Sequence, residues 1–149
     1  MEPSNQYRIR KGTIEDFKEI AKLCEQLGFP TTNDVALKRL EYIGNNDDHD
    51  MFVVESAEGL IVGWVHVFLT ITPYTDLITE VGGLVINEAD REHGIGRMLI
   101  QQAEQWAKSK QTTTVRIRSN VKRVESHMFY KAIGYEEAKK QVTYLKSVK

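Results

Sequence analysis

The sequence predicts an α/β (α+β) fold: a single domain with a mixed, mostly antiparallel central sheet and helices on both faces. Three observations carry this. Runs rich in β-branched residues alternate with turn-formers, apolar residues recur at helical spacing in other stretches, and no repeat, low-complexity segment or linker divides the 149 residues. Thr13 stands as an N-cap with Asp16 three positions later. Ile14, Phe17, Ile20, Ala21 and Cys24 then line one face of a helix that Gly28-Phe29-Pro30 ends. A second helix runs from Thr32 or Asn33 to Ile43, with Ala36, Leu37, Leu40 and Ile43 as its apolar positions. Gly44 to Asp50 is polar and turn-rich. Met51–Glu55 reads as a strand, Ala57-Glu58-Gly59 as a hairpin turn, and Leu60–Leu69 as the next strand. Pro73 breaks the chain, Ile78–Ile86 forms a third central strand, and Val142–Leu145 is expected to close the sheet.

The densest signal is Arg91-Glu92-His93-Gly94-Ile95-Gly96. It follows Val81-Gly82-Gly83-Leu84-Val85-Ile86 and precedes Met98, Leu99, Ala103, Trp106 and Ala107 at helical spacing. Two glycines at a strand-to-helix turn let the backbone bend and approach a ligand without Cβ in the way. The helix start leaves N–H donors unsatisfied and carries partial positive charge, which suits a pyrophosphate. Arg91 and Arg97 add full charges at its rim. The segment lacks the Gly-Lys-Ser/Thr ending of a P-loop and the third glycine of a dinucleotide fingerprint. A tight turn that binds nothing is the alternative.

An Arg/Gln-x-x-Gly-x-Gly/Ala pattern between strand and helix resembles the acetyl-CoA signature of the GCN5-related N-acetyltransferases (GNAT). The likeness extends from about residue 7 to residue 145. Tyr7-Arg8-Ile9-Arg10 and Thr13 to Phe17 resemble the family's first strand and capped first helix. The β-rich Thr113-Thr114-Val115-Arg116-Ile117-Arg118, then Ser119-Asn120, the helical stretch with His127, Phe129 and Tyr130, and Gly134-Tyr135 resemble its second half. The resemblance implies a GNAT fold of six to seven strands and acetyl-CoA as co-substrate.

It also implies roles. Glu80 matches by spacing the carboxylate that takes the amine proton, directly or through water, beside a Gly82-Gly83 pair able to open a bulge; a solvated charge at a strand end is the alternative. Tyr130 matches the tyrosine that returns a proton to sulfur, against a core aromatic. Leu84, Val85 and Ile86 would serve through backbone groups, pairing with pantetheine amides as an added strand would. Glu92, His93, Gly94 and Ile95 complete the cradle with Arg91, Gly96 and Arg97. Asn120 matches a pantetheine contact or a helix cap, and Arg123 a position near the phosphates or an exposed helical arginine. His93 and His127 are read as non-catalytic, and no metal site is expected.

The function expected is acetyl transfer to a primary amine of a small molecule or peptide, directly within a ternary complex. A catalytically silent acetyl-CoA sensor is the alternative, and a transferase of a longer acyl group is a third reading. The acidic stretch Asp47-Asp48-His49-Asp50 with Glu80 is compatible with a cationic amine such as an aminoglycoside or polyamine, with a solvated loop as the alternative. Trp64, Tyr74 and Tyr42 are candidate acceptor walls or packing residues. A net charge of −1 offers no broad basic field for nucleic acid. No apolar stretch approaches the roughly 20 residues of a bilayer span. The single cysteine fits a reducing compartment, so a cytoplasmic protein is expected. Residues 1–6 are expected to be flexible, and a sheet edge near Val142 suggests a homodimer.

Overall fold

The computed structural model describes residues 6–149, so of the segment expected to be flexible only Gln6 is among the described residues. The order is β1 (Tyr7–Lys11), α1 (Phe17–Leu27), α2 (Asn33–Gly44), β2 (His49–Ser56), β3 (Ile61–Thr72), β4 (Thr75–Ile86), α3 (Ile95–Ser109), β5 (Val115–Ile117) and α4 (Val124–Ala132). The first unit ends at Ile117, and Arg118–Lys149 form a second.

In the first unit the strands lie in sequence order, antiparallel from β1 to β4, with β5 parallel to β4. Alternation along each strand separates two cores. Phe52, Val54, Val65, Val67 and Val81 pack against Leu99, Ala103 and Trp106 of α3. Met51, Val53, Trp64 and Val85 point the other way, onto Ile20 and Leu23 of α1 and Leu40 of α2. Helices therefore cover both faces.

The caps explain the helix limits. Asp16 accepts the Thr13 N–H at 2.8 Å, but the turn behind Thr13 is 3-10 over Ile14–Asp16, so α1 starts later than the periodicity suggests. Gly28, at φ 96°, closes α1 in the left-handed region that favours glycine. Thr32 accepts the Val35 N–H at 3.3 Å and starts α2.

Two expectations need correction. Five strands form among the described residues, against six to seven. Val142–Leu145, expected to close the sheet, carries no regular secondary structure, and Val142 and Leu145 are 75% and 93% exposed. Strand propensity reflects packing against neighbours, and among the described residues this apolar run pairs with no strand. The edge invoked for a homodimer is thus not formed by that segment.

Candidate cofactor and acceptor site

β4 and β3 fall out of register between His66 and Val67: His66 faces Gly83, Val67 faces Val81, and Gly82 is the extra residue of a bulge. Glycine is needed twice here. A Cβ on Gly82 would run into the His66 ring, and one on Gly83 would come within 2.9 Å of the Trp64 ring.

Beyond the bulge β4 loses its outer neighbour. β5 pairs with it only at Thr79, Glu80 and Val81. Asn87 donates to the Val62 carbonyl at 2.7 Å, so antiparallel alternation turns Val85 toward β3 and the main-chain groups of Leu84 and Ile86 toward the open side. Of the three residues expected to offer backbone groups, two face outward. Arg91 Nε already donates to the Ile86 carbonyl at 3.2 Å.

The cradle then forms at the start of α3. Glu92 (φ 67°) and Gly94 (φ 80°) both adopt left-handed backbone, coiling the chain so that successive N–H groups can converge. Gly94 is the N-cap and so supplies no side-chain oxygen, and no acidic residue occupies the first turn of α3. The N–H groups of Ile95, Gly96 and Arg97 thus lack the usual side-chain acceptor. Ile95 and Gly96 are buried while Arg91 and Arg97 are exposed. The His93 ring lies over Tyr7 with centroids 6.0 Å apart.

Sequence reading missed what holds this loop. Gln26 of α1 donates to Asn87 Oδ1 at 2.8 Å and accepts the Glu88 N–H at 2.9 Å. Asn87 donates to Asp90 at 2.8 Å, and Tyr7 donates to the same carboxylate at 3.1 Å. Sequence offered no clear signal, because Gln26 shares the polar flank of α1 with Glu19 and Lys22 and its partners lie 61 and 62 positions away.

Glu80 is 5% exposed in mid-strand, and Arg116 of β5 donates to its carboxylate through Nε at 2.7 Å and through a second guanidinium nitrogen. On the same sheet face His49, His66 and Phe68 stack with centroids 5.2–5.4 Å apart, and Tyr42 of α2 meets His49 edge-on at 6.0 Å. Trp64 is core, whereas Tyr74 is at the tip of the β3–β4 hairpin, 85% exposed. Asp50 is engaged, accepting from Trp106 Nε1 at 3.2 Å and facing Lys11 at 3.5 Å.

In the second unit Asn120 Oδ1 accepts the Lys122 N–H at 2.9 Å, a turn of the kind asparagine favours, and Arg123 is the N-cap of α4. The Asn120 carbonyl meets His127 Nε2 at 2.9 Å. Tyr130 packs on Phe129 and Tyr135, and Gly134 (φ 98°) reverses the chain after α4. Burial pushes the Tyr130 phenol above its ordinary value, against the pull of the Arg123 charge.

A family model described as an acetyltransferase (GNAT) domain matches residues 47–137, from just before β2 to beyond α4. The chain belongs to the GNAT acetyltransferases. Among characterised GNAT relatives, an aminoglycoside N(6')-acetyltransferase type 1 from Acinetobacter haemolyticus is 33% identical over 66 residues, which cover 44% of this chain. The chain matches 46% of that enzyme's length. The fold extends further than the identity. An aminoglycoside N-acetyltransferase solved with CoA superposes with a TM-score of 0.84 at 20% identity, covering 95% of both chains. The 6'-N-acetyltransferase of Acinetobacter baumannii gives 0.81 at 18%, covering 95% of this chain and 99% of its own. Among the described residues of this GNAT chain, no helix is long and apolar enough to cross a membrane.

Proposed function

We propose that the chain is an acetyl-CoA-dependent N-acetyltransferase that moves an acetyl group to a primary amine of a small molecule by direct transfer in a ternary complex. The observation that carries this is the continuous main-chain surface formed by the open edge of β4 at Leu84 and Ile86 and the uncapped start of α3. N–H groups at a helix start, flanked by Arg91 and Arg97, suit a pyrophosphate. Outward amide and carbonyl groups suit the two amides of pantetheine. The relative from Acinetobacter haemolyticus supports an aminoglycoside as the first acceptor class to test.

Chemically, the amine nitrogen attacks the thioester carbonyl, the carbon–sulfur bond breaks, and one proton leaves nitrogen while one reaches sulfur. Glu80 is the carboxylate we assign to the amine side, taking the proton directly or through water. Tyr130 is the acid for the thiolate, and its raised pKa keeps it protonated at neutral pH. Asn120 and Arg123 are assigned to the pantetheine and phosphates. Burial also pushes the Cys24 thiol up, which disfavours an acetyl-enzyme on sulfur. One observation favours the sensor reading instead: Oε1 of Glu80 is already engaged by the Arg116 guanidinium, a contact that serves the β4–β5 pairing without any amine.

Release of CoA thiol against a panel of aminoglycosides, polyamines and lysyl peptides tests the reading. Release with one amine class is expected, slowed about 10²-fold or more in Tyr130→Phe with acetyl-CoA affinity retained. Tight acetyl-CoA binding without release from any amine makes the chain a sensor.

A further inference from the structure

On the sheet face that carries Glu80, the half-buried imidazoles of His66 and His49 form a connected pair that the transfer reading leaves unused. His49 Nδ1 and His66 Nε2 are 2.9 Å apart, and the rings are stacked within 9° of parallel. A hydrogen bond between two imidazole nitrogens holds one proton, so each ring presents its other nitrogen elsewhere. His66 Nδ1 lies against the Gly82 bulge, where a Cβ would collide with it, and makes no hydrogen bond among the described residues. His49 lines a cavity of about 160 Å³ with Gly12, Thr13, Asp47, Asp50 and Lys110. One end of the pair thus meets the bulged strand and the other meets a polar cavity.

We propose that His66 and His49 are a two-ring proton relay that carries the acceptor amine's proton from the Gly82 bulge to the cavity beside His49. This rests on the transfer reading. With pyrophosphate at the start of α3 and pantetheine along the β4 edge, the thioester end falls toward the bulge. His66 Nδ1 takes the extra proton of the ammonium as that N–H bond breaks, which frees the lone pair for attack; Glu80 keeps its assigned role and takes the second proton as the carbon–nitrogen bond forms. The proton on His66 Nε2 passes to His49 Nδ1, and the one on His49 Nε2 leaves to solvent. Both rings end neutral in the opposite tautomer and reset by exchange with water.

Burial, then the neighbouring His49, lowers His66 to about 4, so the ring enters the cycle neutral with an open lone pair. A proton handed on at once never has to rest there as a buried charge. The titratable and charged groups around the pair are Tyr42 from α2, Glu80 from β4, Arg116 from β5, Asp47 before β2, Asp50 from β2, Lys11 from β1 and Lys110 after α3.

The test uses the full chain with the amine that releases CoA thiol, comparing wild type with His49→Phe, which keeps the ring stack. His49→Gln, which keeps a hydrogen-bonding side chain, serves if the first fails to fold. Acetyl-CoA affinity should be unchanged, while kcat near neutral pH falls about 10- to 100-fold. The loss should shrink as pH rises and the amine arrives without its extra proton. The proton inventory should be curved in wild type and linear in the variant. A loss of the same size at every pH, or full activity throughout, overturns the relay and leaves the transferase standing. If wild type releases thiol with no amine, the transfer reading falls and the relay with it.

Discussion

Glu92 holds a left-handed backbone at φ 67°, a conformation that costs a residue with a Cβ about 1 kcal/mol or more. It also places a carboxylate beside the anion cradle. Glu92→Gly relieves the first and removes the second. Thermal unfolding should show a gain of about 1 kcal/mol, and the KM for acetyl-CoA should fall. A loss of stability would mean that the Glu92 side chain makes an interaction worth more than the backbone strain. The backbone conformation at position 92 was not legible from sequence, because φ at a non-glycine is set by the turn around it. Gly94 was legible, since only glycine adopts φ 80° without cost. Glu80 was placed on the right strand, yet its ion pair with Arg116 was not visible: the two are 36 positions apart and meet only through the parallel β4–β5 register.

At the scale of elements, α1 does more than cover the sheet. Its last turn fixes the loop between β4 and α3 through Gln26, and Tyr7 of β1 fixes the same loop from the other side through Asp90. Gln26→Ala removes both hydrogen bonds to Asn87 and Glu88, a loss of about 1–2 kcal/mol. The cofactor loop should loosen while the transfer chemistry is left alone, so the expected signature is a KM for acetyl-CoA raised several-fold with kcat nearly constant. An equal fall in kcat would place Gln26 in the chemistry. Strongly periodic elements were readable in advance: α2 begins and ends within a residue of expectation, and β3 and β4 exist where the β-branched runs put them. Their lengths were not. Both strands run on to the Pro73-Tyr74 turn, because pairing with each other sustains the ribbon where apolar content fades. β5 is shorter than its β-rich run, and the tail at Val142–Leu145 has no strand at all.

For the whole molecule, acid stability depends on a buried knot near the start of the chain. Asp16 is 6% exposed, accepts two guanidinium bonds of 2.9 Å from Arg10, and takes the Thr13 N–H. Burial alone would raise its pKa, but Arg10 and the Thr13 N–H outweigh it and hold the carboxyl below its ordinary value. A depressed carboxylate stabilises the fold above its unfolded pKa, and that contribution is lost as pH falls through the folded one. Unfolding followed against pH should therefore show stability dropping on the acid side. Asp16→Asn should cost about 1–3 kcal/mol at neutral pH, discounted for the partly exposed Arg10, and flatten that acid slope. An unchanged slope would move the acid sensitivity to other carboxylates. The bulge on β4 has a consequence for descent as well. Gly82 and Gly83 are yoked to rings on the adjoining strand, His66 and Trp64, which fill the space a side chain would need. Neither glycine can drift alone; a lineage that enlarges one must first shrink its ring, so Gly82 should change with His66, and Gly83 with Trp64, or not at all.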